Sequence, residues 1–433
     1  MKRLPSTISR VRDLLPVAVF FVLWRLVLVG IPSVGHRLFE ADATFFGGSP
    51  WANFDGVHYA AIARNGYSIY QQAFFPLYPS LMRVFSSFAA ISAEQAGLII
   101  SHISTFFALL LFYRLMSGDD ETSPPSISFQ AGYPSVQRIH ASEAYPPSLL
   151  RSYGWGAPAF HRTDAIGYGR RRPHRKRWGI QAKGHKRAAL RSVALLLLFP
   201  TSFFLVSVYT EGLFFLLSVA TFYAARKSRW FIAGILGSVA SMTRFYGIFL
   251  VPALLISYLN SNRKRNPGEL ISICLIPVGL IAYMVYLVHT TGDAFAFIHT
   301  LPAFGTGRAT AIVWFPQVMW RYIRIFTLVD PVTYVYAIAL LEFSVLLLFS
   351  LLLIQSVRMR LDPSYIIYSL AIITVPVLTG TLTSLPRYVL SAFPLFFVLA
   401  SIDNKPVLYA TASVFTLALI IYAAAFLQGH FVA

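Results

Sequence analysis

Apolar runs of about 20 residues recur along the chain, separated by short polar or basic connections. An α-helix of about that length crosses the hydrocarbon of a bilayer. The first run, residues 14–32 (LPVAVFFVLWRLVLVGIPS), follows a basic start, MKRLPSTISRVRDLL. Its flanks are those of a signal peptide. The apolar stretch is too long for one, however, and no small-residue cleavage site clearly follows, so it reads as an uncleaved first helix. Further candidate spans are 95–116, 190–207, 209–226, 229–243, 245–260, 268–289, 333–356, 364–381, 387–401 and 406–428. The pattern predicts an all-α polytopic membrane protein with about 11 spans. A transmembrane β-barrel would show short alternating segments instead.

Basic clusters set the orientation. The N-terminus, ARKSRW at 225–230, NRKRN at 262–266, RMR at 358–360 and Lys405 are expected on the cytoplasmic face. The opposite face then collects the loop with Asp55, SVYTEG near 210, TRFYG near 245, the external loop 290–332 and TSLPRY near 386. Residues 73–91, AFFPLYPSLMRVFSSFAAI, would invert this order if they crossed. They read as a juxtamembrane or re-entrant helix started by Pro76 and Pro79. The chain divides into 1–116 (first helix, external catalytic loop and following helices), 117–189 and a helical bundle at 190–433.

Composition sharpens this picture. Of 433 residues 56% are apolar and 12% charged, against about 25% charged in soluble domains. The formal charge is +19, from 36 Lys and Arg against 17 Asp and Glu. In a soluble protein that excess would suggest nucleic acid. Here basic loops beside anionic membrane lipids account for it, and no nucleic-acid partner is expected. The single cysteine, Cys274, excludes an intrachain disulfide. Residues 118–188 are rich in Pro, Ser, Gly and Arg and poor in aliphatic residues, so disorder is expected there. The RRRPHRKR cluster could meet anionic lipid or RNA. A tolerated insertion or a shifted reading frame would leave the same pattern, and no chemistry is assigned to the segment.

Four motifs carry candidate chemistry. In FDGVHYAAIARNGY, residues 54–67, Gly56 would let the chain turn tightly beside the Asp55 carboxylate. His58 follows one helical turn later. Asp55 as a helix N-cap is the plainer alternative. In LFPTSFFLVSVYTEGLFF, residues 198–215, Glu211 is an acid in apolar surroundings, costly unless paired. Helix capping or pairing is the alternative there. Arg244 in SMTRFYG, and Arg387 with Tyr388 in SLPRYVLSAFPLFF, offer guanidinium forks matched to phosphate or carboxylate. Snorkelling to the interface is the alternative for each. Arg25, inside the first helix, needs an acid, a carbonyl or a lipid phosphate as partner. Asp55 is the catalytic candidate, and His58, Tyr59, Tyr78, Glu211, Arg244, Arg387 and Tyr388 form the substrate-binding set.

No close His/Cys pair suggests zinc, since His58 and His102 are far apart, and no nucleotide fingerprint occurs. No cofactor is certain, although a divalent cation remains open. Without a nucleotide site, a sugar or lipid donor must arrive already activated. One acid, scattered cations and a site at bilayer level suit glycosyl transfer from a lipid-linked sugar phosphate. Phosphate leaves without a general acid, so one carboxylate can serve as base and the cations can meet the charge on phosphate.

FDGVHYAAIARNGY, AFFPLYPSLMRV, LFPTSFFLVSVYTEGLFFLL, ASMTRFYG and SLPRYVLSAFPLFF, in this order, resemble the PIG-V-like mannosyltransferases. That family includes the enzyme adding the second mannose in GPI-anchor synthesis and many prokaryotic relatives. The match covers about residues 20–116 and 190–400. It implies a GT-C architecture, a polyprenyl-phosphate mannose donor, a glycan or glycolipid acceptor, and an essential acid in the first external loop, matched by Asp55. The family's usual WDG is FDG here, and its short basic link is replaced by 118–188. The expected location is the plasma membrane of a prokaryote or the endoplasmic reticulum of a eukaryote. A transporter is the rival reading, although no internal repeat is evident. A non-catalytic subunit of a glycosyltransferase complex is another.

Overall fold

A computed structural model of the protein describes residues 7–42, 49–118, 175–261, 266–304 and 307–433. The expected disordered insert falls outside them as far as residue 174, as does most of the NRKRN cluster. Among the described residues the chain is helical, with no strand. The helices are α1 (Thr7–Gly30), α2 (Pro32–Leu38), α3 (Asp55–Asn65), α4 (Leu77–Ala89), α5 (Ala93–Ser117) and α6 (Arg175–Leu198). There follow α7 (Glu211–Arg226), α8 (Trp230–Thr243), α9 (Leu250–Leu259), α10 (Pro267–Ile273), α11 (Ile276–Thr291) and α12 (Ala296–His299). The last six are α13 (Phe315–Leu328), α14 (Tyr334–Arg358), α15 (Pro363–Val377), α16 (Leu385–Tyr388), α17 (Phe393–Ala400) and α18 (Lys405–Leu427). α6 begins at Arg175, within the segment 117–189.

Among the described residues five stretches are long and apolar enough to cross a membrane: Arg12–Gly30, Ala93–Ser117, Pro267–Thr291, Tyr334–Arg358 and Lys405–Leu427. The chain is an integral membrane protein. Trp230–Thr243, Phe245–Leu259 and Pro363–Val377 are shorter apolar helices. Several expected spans are broken, two of them at the site. In 190–207, α6 stops at Leu198 ahead of Pro200 and a 3-10 turn follows over Ser202–Val206. In 387–401, α16, a second 3-10 turn and α17 replace one helix. α4 has 13 residues, about 20 Å, too short to cross.

The core forms where α5, α6, α7, α8 and α17 pack side by side. Every residue of α17 is buried, which suits its apolar character on all sides. Phe393 at its start lies among the rings of Phe112, Phe215, Phe222 and Tyr368. α1 sits at the rim and exposes Leu15, Val22, Leu23 and Leu26, as a lipid-facing helix should.

The irregular stretch between α6 and α7 runs through this core, so side chains must satisfy its backbone. Thr105 Oγ1 donates to Leu205 O at 2.6 Å, and Ser101 Oγ to Tyr209 O at 3.2 Å. Val208 N donates to Trp51 O at 2.9 Å. Non-helical backbone survives at such depth only when buried in protein and paired in this way.

Polar contacts also separate the two ends of the bundle. Lys186 of α6 pairs with Asp13 of α1 at 2.8 Å, and Arg226 of α7 donates to Leu115 O near the end of α5. At the other end the four candidate motifs converge.

Candidate active site

α3 begins abruptly at Phe54, whose φ of 55° and ψ of −115° lie outside the regions most side chains adopt. The rings of Phe426 and Phe431, 6.0 and 5.5 Å away, hold Phe54 in place. The tight turn expected at Gly56 is therefore made by Phe54. Gly56 lies inside α3, where a Cβ would stand 3.3 Å from Val208 O. Its role is close approach of two segments. Phe54 holds the N-cap position, and Asp55 is the first residue of α3. Its carboxylate turns inward.

There it meets Arg387. Arg387 Nη1 donates to Asp55 Oδ2 at 2.6 Å, across 332 residues of sequence. Arg387 Nε lies 3.0 Å from Glu211 Oε1, and Arg244 Nη1 donates to the same oxygen at 2.6 Å. Glu211 is 1% exposed and Arg387 5%. Neither arginine snorkels. A charge this deep is tolerated only when paired, and each of these has an opposite charge against it. Glu211 Oε2 is buried without a hydrogen-bond partner among the described residues. The turn that presents Arg387 starts at Ser384, with a φ of 69°, and is anchored by Thr201 Oγ1 donating to Pro386 O at 2.6 Å. Strained residues thus flank both members of the Asp55–Arg387 pair, a pattern common at functional sites.

The pair opens onto a cavity of about 510 Å³. Asp55, Tyr59, Arg244, Arg308, Arg387 and Tyr388 supply its polar wall. Phe74, Phe245, Phe249, Phe297 and Phe304 supply much of the apolar wall. Asp55 is the one carboxylate among the described residues lining it, and its side chain is 31% exposed. Burial alone would raise its pKa, but the charge and hydrogen bond of Arg387, helped by His58 and Arg308, hold it below the ordinary aspartate range. His58 is pushed below the usual imidazole value by burial, against the pull of Asp55, and is neutral at pH 7.

The sequence missed Arg308. It reaches in from the external loop and donates to Tyr388 Oη at 3.0 Å and to Thr383 O at 3.2 Å. Together with Arg244 at 4.8 Å and Arg387 at 5.4 Å, it surrounds the Tyr388 ring with three guanidiniums. The surrounding GTGRAT carries no motif, and the only signal was a cation in a loop on the outer face.

Three expected substrate-binding residues do not line the cavity. Tyr78 is fully buried and donates to Gly97 O at 2.9 Å, with Ser101 Oγ at 2.8 Å, so it braces α4 against α5. His58 stacks on Phe74 at 4.8 Å, with Phe304 edge-on at 5.3 Å, and supports the aromatic wall from behind. Glu211 acts on the cavity only through the two arginines it holds. Arg25 is not at the site either. Its guanidinium lies 4.7 Å over Trp51, and its Nη1 has no hydrogen-bond partner among the described residues.

A divalent cation fits this wall poorly. Its one carboxylate is already ion-paired and three guanidiniums stand around it. Among the described residues no three His, Cys, Asp or Glu side chains come together.

Fold and site define a polytopic helical membrane protein with a cation-rich cavity at one end of the bundle. No family model and no curated protein matches the chain. Among solved structures it is similar to the Archaeoglobus fulgidus oligosaccharyltransferase tethered to an acceptor peptide, with a TM-score of 0.44 and 12% identity over 96% of this chain and 55% of that one. The same enzyme with zinc and sulfate gives a TM-score of 0.41 and 12% identity over 95% and 53%. The chain thus spans about half the length of the enzyme it matches.

Proposed function

We propose that the protein is a membrane glycosyltransferase that moves mannose from a polyprenyl-phosphate donor to a glycan or glycolipid acceptor. The observation that carries this reading is one partly exposed carboxylate, Asp55, facing a cavity edged by Arg244, Arg308 and Arg387. An acceptor hydroxyl oxygen attacks the anomeric carbon while the bond from that carbon to the phosphate oxygen breaks. The phosphate leaves with the electron pair, and Asp55 takes the hydroxyl proton. Attack from the side opposite the phosphate inverts the anomeric centre. The guanidiniums neutralise the charge that grows on the leaving group.

In the resting site Arg387 occupies Asp55 and weakens it as a base. A donor phosphate offers Arg387 another anion, and a carboxylate released from its cation is a stronger base. Glu211 keeps Arg387 at the wall during that exchange. The phenylalanine side of the cavity suits the first isoprene units of the donor.

The reading is tested by incubating purified protein with radiolabelled polyprenyl-phosphate mannose and a glycolipid acceptor. Labelled acceptor is the expected product. Label that stays on the donor lipid, with folded protein present, contradicts the reading.

A further inference from the structure

A second concavity, of about 570 Å³, lies behind the segment that carries Arg308. Gly307, Ala309 and Gly380 line one side, and Trp320, Arg321 and Arg324 of α13 line the other. Ala309 belongs to both hollows, so one backbone segment separates them. That segment is fixed by Ala309 N donating to Thr379 O at 2.8 Å and Val313 N to Leu378 O at 2.9 Å. Arg308 lines the first cavity, whereas Arg321 and Arg324 line the second.

The second hollow is lined by cations and by no carboxylate; Glu342, whose charge reaches Arg321, is buried on α14 and accepts from Tyr322 Oη. Among the described residues Arg321 makes two long hydrogen bonds, 3.4 Å each, to Gly307 O and Gly380 O. The Arg324 guanidinium has no ion pair or hydrogen bond among the described residues, and no acid lines the groove. Gly307 has a φ of +67°, and a Cβ there would stand 2.8 Å from Arg321 Nη2. Glycine at this position is what lets the guanidinium lie across the segment.

Two exposed arginines on a helix are ordinarily a solvated face. Their surroundings here argue otherwise. Trp320 is 62% exposed, Leu328 72% and Ile323 is exposed beside them, while α14 starts its crossing at Tyr334. A helix that sets an exposed Trp and an exposed Leu beside two arginines along one groove, next to a span, belongs in the membrane interface. At that depth the anions available to guanidiniums are lipid phosphates.

We propose that the Arg321–Arg324 groove binds the phosphate of the lipid that carries the acceptor. The donor phosphate, as leaving group, must lie in the cavity of Asp55, and a group in the groove is walled off from it by the 307–313 backbone. A second phosphate therefore belongs to a second lipid. The word acceptor rests on the glycosyltransferase reading, while phosphate binding rests on the groove alone.

The test uses intact protein in phosphatidylcholine nanodiscs, with dodecyl phosphate and inorganic phosphate as probes. Wild type is expected to bind about two dodecyl phosphates per chain and the Arg321→Gln/Arg324→Gln variant about one, with an unchanged melting temperature. Arg321→Lys/Arg324→Lys should retain the second site. In the transfer assay the Gln variant should raise the acceptor KM roughly tenfold or more at an unchanged donor KM. Equal dodecyl phosphate stoichiometry in wild type and the Gln variant overturns the proposal, as does inorganic phosphate binding in the groove as tightly as the lipid probe. A wild-type protein that transfers no sugar overturns the glycosyltransferase reading, and the stoichiometry still decides the groove.

Discussion

α5 and the Asp55–Arg387 corner are built on opposite terms. α5 runs 25 residues from a capping box of Ser92 and Gln95 and satisfies its own backbone. The corner is assembled from the first residue of α3, a four-residue helix behind Ser384, and the buried start of α7. Its members depend on partners far along the chain, with Arg387 reaching Asp55 across 332 positions. The long helices therefore tolerate local change, whereas the corner does not. Removing one charge there strands another in a dry setting.

The sharpest way to break this contrast is Arg387→Ala. It leaves Glu211 with Arg244 alone and Asp55 without its ion-pair partner. Loss of one partner of a buried pair costs about 3–5 kcal/mol, and the measurement is thermal or denaturant unfolding in detergent. An unfolding transition like that of wild type would mean that the corner is as forgiving as the spans.

A smaller effect separates bracing from binding. Tyr78→Phe removes the hydroxyl that joins α4 to α5, at a cost of about 0.5–1.5 kcal/mol. Because Tyr78 does not reach the cavity, donor and acceptor KM should stay at wild-type values. A changed KM at constant stability would return Tyr78 to the binding set.

Smaller still is a pH effect carried by His58. Its folded pKa lies below the unfolded 6.5, so the folded state resists protonation. Stability from the neutral ring is present above that value and is lost as pH falls through the folded pKa. Asp55, held below 3.8, adds stability that is present above 3.8 and lost at lower pH. Melting temperature should therefore drop as pH falls below about 6.5, and His58→Gln should flatten that segment alone.

The spans were legible because length and apolarity are local properties. Asp55, Arg244 and Arg387 were legible as charges that an apolar chain does not carry without reason. What the sequence withheld was approach between distant segments. It offered Gly56 as the turn, because glycine is the usual residue for one, whereas packing against Phe426 and Phe431 forces Phe54 into it. Tyr78 and Glu211 occurred in polar motifs yet point into the core. Arg308 was hidden because nothing in its own loop shows that Tyr388 is its neighbour.

The central claim is that Asp55 removes a proton, and one conservative substitution addresses it. Asp55→Asn keeps the size and an acceptor oxygen but cannot take up the hydroxyl proton at neutral pH. With radiolabelled donor at saturating concentration, transfer should fall roughly 10²–10⁴-fold. Donor binding should persist, because the arginines and the apolar wall remain. An Asp55→Asn protein that transfers sugar at the wild-type rate would contradict the account.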